Sequence, residues 1–464
     1  MASVGGTSPT GPDTTPPSAE GSSPDGPGVQ PGVDTPRPIL VSGGLGGRVI
    51  RHLPALASPA YRNLLFGYTV ATIGGLMYST SQGWLVLTLT NSPGLLALTT
   101  AAQNAPMLLI SLLAGALADQ VDRRRLLVLT YLAGALLAVV LAVLTMTNAV
   151  VYWEIVVLAF LGGATQAVSY PSQQSILPTM VHRSAIGNAI ALNSVSYNIA
   201  RILGPALAGL AIAAGGLVVG FWANAAGYLV VAAIMWRLPI PPRPGARTQA
   251  SLWSNLLAGI GYVRSQPMIA LLVLLAGVPG LFVLNVFTFF PVYARDILEI
   301  GAPGLGLLLG AVGAGAILGA GSYAVVLPGG GSARLMMGGL GLVAVMLTIF
   351  AVSTSLPVSI VGLVIYGAAQ VGFYSTIQSL LQVLSVPRMR GRVMSLYMVM
   401  ALGVAPLGNV LSGLIAEQLG VQVALAGGGV ITLAAVAWAW FGSPELRVLH
   451  PSRIRAHDAA TSTP

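Results

Sequence analysis

The chain has 464 residues, 55% hydrophobic and only 7% charged, with a mean hydropathy of +0.83. Soluble domains carry about 25% charged residues, so this composition excludes a soluble globular protein and points to a polytopic membrane protein. The net charge of +9 does not mark a nucleic-acid binder, because the arginines are scattered through short gaps between apolar runs; with no cysteine, disulfides, thiolate metal sites and cysteine nucleophiles are excluded.

Residues 1–57 read as a disordered cytoplasmic tail. The first part is Pro, Gly, Ser and Thr with four acids and no apolar run, too little to bury a core, and it lacks the basic start and apolar centre of a cleaved signal. Crossing a hydrocarbon core takes about 20 mostly apolar residues in a helix. Such runs fall at 63–89, 95–118, 126–147, 151–176, 187–213 and 217–236, then at 268–293, 304–327, 334–354, 357–384, 393–418 and 421–441. The expected fold is all-α integral membrane, with twelve transmembrane helices in two pseudo-symmetric six-helix halves. The N-terminal half covers 58–237 and the C-terminal half 267–442, joined by a cytoplasmic central loop at 238–266 and followed by a cytoplasmic tail at 443–464.

Loop charge gives an independent orientation. All 21 basic residues are arginine, and with the N-terminus inside, every one falls on the cytoplasmic side except Arg295, which falls outside, and Arg201, which lies within a span. A multi-pass protein of the plasma (inner) membrane with both termini cytoplasmic is the expectation. The chain also repeats itself. "GATQAVSYPSQQSILPTM" from Gly163 matches "GAAQVGFYSTIQSLLQVL" from Gly367, and the same 204-residue offset pairs Gly115 with Gly319, Gly187 with Gly391, Gly204 with Gly408 and Gly209 with Gly413. Parallel repeats of this kind are a common transporter design, with the substrate site between the halves near the midplane. Glycine-rich helices can also resemble one another by chance.

Two stretches carry polar chemistry into the spans. "GALADQVDRRRLL" closes the second span, with Asp119 about one turn inside the apolar run, where a carboxylate needs a partner; Arg123, four residues on, is placed to supply it. A plain positive-inside anchor is the simpler reading of the arginines. In the fifth span, Asn193, Tyr197 and Arg201 recur every four residues as one polar stripe that continues into Gly204, Pro205 and Ala208.

At these residues the chain resembles the major facilitator superfamily. Gly115, Leu117, Asp119, Arg123 and Arg124 stand where its signature between helices 2 and 3 puts them, while Gln120 and Asp122 depart from the usual Arg and Gly. The resemblance implies a cytoplasmic gate at Asp119 and Arg123 that latches the halves during alternating access. Gly204, Pro205 and Gly209 resemble the superfamily's antiporter signature, which implies export. From Ser58 to Gly442 the chain is similar to the branch that contains enterobactin, macrolide and multidrug exporters.

Arg201 admits two readings: a structural cation paired with carbonyls or a carboxylate of another helix, or a charge offered to an anionic or oxygen-rich substrate. Further polar positions mark a candidate cavity: Gln82 and Trp84 on the first span, Gln166, Tyr170 and Gln174 on the fourth, Asn193 and Tyr197 on the fifth, and Gln370, Tyr374 and Gln378 on the tenth. Each alone is better explained as an interhelical hydrogen-bonding group; together they describe a large, nearly uncharged, aromatic-edged passage suited to amphiphilic or aromatic molecules. The expected function is secondary-active export of such molecules, of drug, macrolide or siderophore type, by a functional monomer using protons as coupling ion and needing no cofactor. A lipid or lysolipid translocator, or a transport-inactive sensor, would share the fold. An enzyme is not expected: His52, His182, His450 and His457 all lie outside the spans.

Overall fold

The computed structural model describes residues 53–120, 122–238, 252–326 and 331–449. Helices α1 (Pro59–Thr90), α2 (Pro93–Gln120), α3 (Arg123–Met146), α4 (Tyr152–Ile176), α5 (Ile186–Gly215) and α6 (Val218–Arg237) occupy the first six expected spans. α7 (Leu252–Ser265) precedes the second set, made of α8 (Pro267–Phe282), α9 (Val286–Val292), α10 (Gly301–Val326), α11 (Ala333–Val352), α12 (Leu356–Leu384), α13 (Arg390–Met398), α14 (Ala405–Leu419) and α15 (Val421–Gly442); α16 (Pro444–Val448) follows. Among the described residues, ten helical segments are long and apolar enough to cross a bilayer, and α1 and α2, of 32 and 28 residues, stand at the other two expected positions.

Local chemistry sets the helix ends. Ser58 caps α1 by accepting from the Tyr61 amide at 3.3 Å, and Asn91 ends it in the left-handed region at φ 50, leaving only Asn91 and Ser92 before α2 begins at Pro93. Gly216 and Gly420, themselves 204 residues apart, end α5 and α14 at φ 87 and 91, a backbone that a residue with a Cβ rarely adopts.

The seventh and eleventh spans, expected as continuous runs, are both broken. Between α8 and α9 the chain turns through Val283–Asn285, with the Val283 and Leu284 amides both donating to the Pro279 carbonyl at 2.9 Å. Between α13 and α14 a π segment, Val399–Gly403, precedes Pro406, whose missing N–H and ring bulk prevent a regular turn over Leu402. Irregular backbone at membrane depth survives only where protein covers it, and Val283, Asn285 and Val286 are all buried. Asn285 ties the first break to α14: its amide donates to Leu281 O at 2.7 Å, to Gly408 O at 3.1 Å and to Ser412 Oγ at 2.6 Å. Asn285→Ala should therefore lower the stability of the purified protein by about 1–2 kcal/mol, read as an earlier thermal unfolding transition, since interhelical hydrogen bonds in membranes are worth roughly 0.6 and at most about 1.7 kcal/mol each.

Close glycine crossings reproduce the internal repeat in three dimensions. A Cβ on Gly204 would meet Leu76 on α1 at 2.7 Å, and one on Gly408 would run into Leu281 O on α8. Gly209 abuts the Ala302 carbonyl at the start of α10, and Gly413 abuts Ala97 near the start of α2. Gly163 meets Gln103 O on α2, and Gly367 meets Val312 O on α10. Each pair, 204 residues apart, makes the same kind of crossing in its own half or across to the other. Small residues carry these contacts because lipid offers no hydrophobic drive for helices to associate.

Aromatic side chains fill the interior of the C-terminal half between α9 and α11. Phe290 and Phe350 meet edge to face at 5.6 Å, Tyr293 stacks on Phe350 at 4.3 Å, and the Tyr293 hydroxyl donates to Ala351 O at 2.8 Å. Short pieces flanking the spans are also ordered. Pro54–Ala57, which the sequence assigns to the disordered tail, forms a 3-10 turn whose Ala55 amide donates to Asn188 Oδ1 at 3.1 Å. In the expected C-terminal tail, buried Leu446 anchors α16, and Leu449 O accepts from the Ala333 amide, an otherwise orphaned donor at the start of α11.

Candidate functional site

The two halves are fastened to each other at the end where α1 meets α2. Arg295, in the π turn that follows α9, donates through Nη1 to Leu87 O at 2.9 Å and through Nη2 to Asn91 Oδ1, while Asp296 holds its guanidinium from behind. Glu417, near the end of α14, accepts from Ser92 Oγ at 2.7 Å and from the Gly94 amide at 2.9 Å. A carboxylate placed there meets the free N–H groups and positive dipole end of α2. One two-residue turn of the N-terminal half is thus gripped by two opposite charges of the C-terminal half. Sequence reading singled out Arg295 only as the basic residue on the far side; Glu417 carried no signal beyond its place at a helix end.

Beside this clasp, α5 and α10 are pressed together. Gly306 approaches the Pro205 carbonyl, which a Cβ would meet at 3.0 Å, and Gly313 faces Ile202. Ala200, Gly204, Pro205, Ala208 and Gly209 are buried along this part of α5, Gly204 against α1 and Gly209 against α10. Away from the clasp, Gly187, Ile190, Ser194 and Tyr197 on α5, and Ile317, Leu318 and Ser322 on α10, are exposed.

Arg201 lies where these two regimes meet, near the middle of α5 and about 22 Å from its start at 1.5 Å per residue. Its guanidinium stands 5.8 Å from the centroid of Phe287 on α9, and the Tyr366 ring on α12 lies 6.5 Å from that of Phe287. Both rings belong to the opposite half. The Tyr366 hydroxyl accepts from Gln370 Nε2 at 3.2 Å and reaches the Val283 carbonyl in the α8–α9 break at 3.4 Å. Among the described residues no carboxylate pairs with Arg201: Asp122, Glu154, Asp296, Glu299, Glu417 and Glu445 all sit at helix ends or in turns. Pro205, having no N–H, also leaves the Arg201 carbonyl without its helical donor. A cation–π contact is worth about 0.5–2 kcal/mol. An arginine at the centre of a span costs about 2.5–3.5 kcal/mol in lipid, so Phe287 alone does not stabilise the charge, and the position requires water or a further polar group.

The family model described as "Transmembrane secretion effector", of the major facilitator type, matches residues 51–453. The chain belongs to this family of major facilitator transporters. It is similar to the staphyloferrin A transporter of Staphylococcus aureus, 32% identical over 36% of this chain and 42% of that protein, so the match spans less than half of that relative. It is also similar to the multidrug efflux pump Tap of Mycolicibacterium fortuitum, 26% identical over 77% of this chain and 90% of that one. Among solved structures, a mutant of the nucleoside transporter NupG superposes with a TM-score of 0.67 at 15% identity, covering 82% of this chain and 99% of that one, a likeness of fold.

In this major facilitator fold the remaining predicted positions separate by burial. Of the gate motif, the side chains of Gly115, Leu117 and Asp119 lie outside the described residues; their backbone closes α2. Asp122 is the N-cap of α3, its Oδ1 accepting from the Arg124 amide at 2.8 Å and the Arg125 amide at 3.2 Å, which gives this departure from the superfamily pattern a structural purpose. Arg123 is half-buried at the first position of α3, and Arg124 lies 5.9 Å from the Trp236 ring. Gln82 is buried and donates to Tyr78 Oη at 3.3 Å, and Trp84 packs against the core. On α4, Gln166, Tyr170 and Gln174 are exposed, with Gln174 donating to Tyr170 Oη at 3.1 Å. Asn193 is half-buried and Tyr197 is 52% exposed. Gln370 is buried, Gln378 half-buried, and the buried Tyr374 hydroxyl has no hydrogen-bond partner among the described residues.

Proposed function

We propose that the protein is a secondary-active exporter that moves small amphiphilic or aromatic organic molecules outward by alternating access in exchange for protons, as a monomer in the plasma membrane with both termini in the cytoplasm. The observation that carries this reading is the two-ended difference along α5 and α10: clasped beside Arg295 and Glu417, exposed at the other end. That is the arrangement of a carrier resting open toward the cytoplasm, with the six-helix halves 58–237 and 267–442 as the bodies that rock. The exposed Gln and Tyr stripes of α4 and α5 support a water-accessible passage, since polar stripes facing lipid are costly. The names of the relatives, an efflux pump and a siderophore transporter, support a small organic cargo and outward direction.

Transport into inverted proteoliposomes with and without a pH gradient tests the reading. Accumulation of at least one drug- or siderophore-type compound should depend on the gradient, and Asp119→Asn should cut that transport about tenfold or more while the protein still inserts. Gradient-independent behaviour across the compound panel, or labelled lysolipid moved in its place, would replace the exporter with a sensor or a lipid translocator.

A further inference from the structure

We propose that Arg201 is the recognition site for an oxyanion, foremost a carboxylate, on an amphiphilic cargo, and that the protein therefore selects organic anions over neutral and cationic molecules of the same shape. The inference deepens the exporter reading and rests on it.

Four observations converge on this site. Arg201 is a permanent cation near the middle of a membrane helix, and none of its N–H groups donates to a described protein acceptor; it faces the Phe287 ring, which Tyr366 flanks. A guanidinium presents its donors as a planar fork whose geometry matches a carboxylate, and the pair is strongest out of bulk water. Second, the described carboxylates lie at helix ends and in turns, so the middle of the bundle carries positive charge that the described protein does not neutralise. Third, the groups opposite suit an amphiphilic anion: an aromatic face at Phe287 for the apolar body, with the Tyr366 ring 6.5 Å from it and the Tyr366 hydroxyl joined to the Gln370 amide on α12. Fourth, the site is split between the halves, with the cation on α5 and its aromatic partners on α9 and α12, beside the break at Val283–Asn285. An anion held there would neutralise Arg201 while touching both halves, which is how binding energy biases a rocking equilibrium.

The test uses purified full-length protein and three probes of one shape: 1-naphthoate, its neutral methyl ester and the cationic 1-naphthylmethylamine, with lysophosphatidylglycerol and lysophosphatidylcholine as a lipid arm. Thermal unfolding reads binding through the stabilisation that a ligand confers on the folded state. Naphthoate should raise the transition in a concentration-dependent way, and the ester and amine should require at least tenfold higher concentration for the same shift. Lysophosphatidylglycerol acting where lysophosphatidylcholine does not would assign the same oxyanion chemistry to a lipid headgroup; naphthoate acting alone assigns it to a small molecule. Arg201→Gln should abolish the preference for acid over ester, Arg201→Lys should keep part of it, and Tyr366→Phe should weaken it. The comparison of acid with ester in the wild type needs no variant, so a misfolded Arg201→Gln leaves the test intact. Equal stabilisation by acid, ester and amine, or an acid preference unchanged in folded Arg201→Gln, would overturn the site. Gradient-driven transport of neutral compounds with no acid preference would overturn it as well and leave the exporter reading standing, whereas acid-selective binding without transport would do the reverse.

Discussion

Gly209→Val should abolish transport while leaving a folded, membrane-inserted protein held open at the clasped end. A Cβ at this position would run into the Ala302 carbonyl and come within 3.1 Å of the Ala302 carbonyl carbon and the Pro303 Cα, all backbone of α10, which has no rotamer to yield. Overpacking of this kind costs about 1–3 kcal/mol, and at the upper figure the apposed state loses about two orders of magnitude in population. The clash is with the opposite half, so each half keeps its own packing. Gly163→Val is the contrast: its Cβ would meet the Gln103 carbonyl within the N-terminal half, and that variant should fail to fold. The native chain has no cysteine, so a single Leu305→Cys, at a position buried in the α10 core, is a clean probe. In Gly209→Val it should react readily with a membrane-impermeant thiol reagent added outside, and in the wild-type background slowly. Wild-type transport in Gly209→Val, with the Leu305→Cys probe still unreactive there, would end this account of α5 and α10.

Removing the clasp should act in the same direction and more gently. Arg295→Ala removes donors to Leu87 O and Asn91, and Glu417→Ala removes the acceptor for Ser92 and Gly94. Hydrogen bonds to charged groups are worth about 1.5–3 kcal/mol when shielded. Both charges here are partly or largely exposed, so about 1 kcal/mol each is the fitting scale, a several-fold shift per substitution. The two contacts grip the same turn, and their effects should couple: the double variant should label faster at Leu305→Cys than either single one, with a departure from additivity that a double-mutant cycle measures. Unchanged labelling in the double variant would remove the clasp from the gating account. Because the contacts are electrostatic and face solvent, raised external salt should reproduce part of the effect in the wild type.

The spans and their duplication were legible because each rests on a local or periodic property: length of apolar run, glycines at one offset. The offset proved structural, since Gly204 with Gly408, and Gly209 with Gly413, occupy matching crossings. The breaks at Val283–Asn285 and Val399–Gly403 were not legible, because prolines such as Pro279 and Pro406 are tolerated in membrane helices and whether the chain bends or breaks depends on what covers it. Arg201 stood out in the sequence, but Phe287 and Tyr366 did not. Aromatic residues in apolar spans are ordinary, and only the meeting of the two halves sets them beside a cation. Asp122 illustrates the converse: a departure from a motif that local capping explains.

The Asn91–Ser92 connection carries one further consequence. Surface loops in most proteins absorb insertions at little thermodynamic cost. Here both residues, with Leu87 at the end of α1 and Gly94 at the start of α2, are the partners of Arg295 and Glu417, so the separation of the two grips is fixed by the length of this turn. One added glycine would leave α1 and α2 free to fold as before yet move one grip out of register with the other. The turn is therefore a place where the chain tolerates change in its architecture and resists it in its timing, and length variation there would tune the rate of opening without touching the cargo.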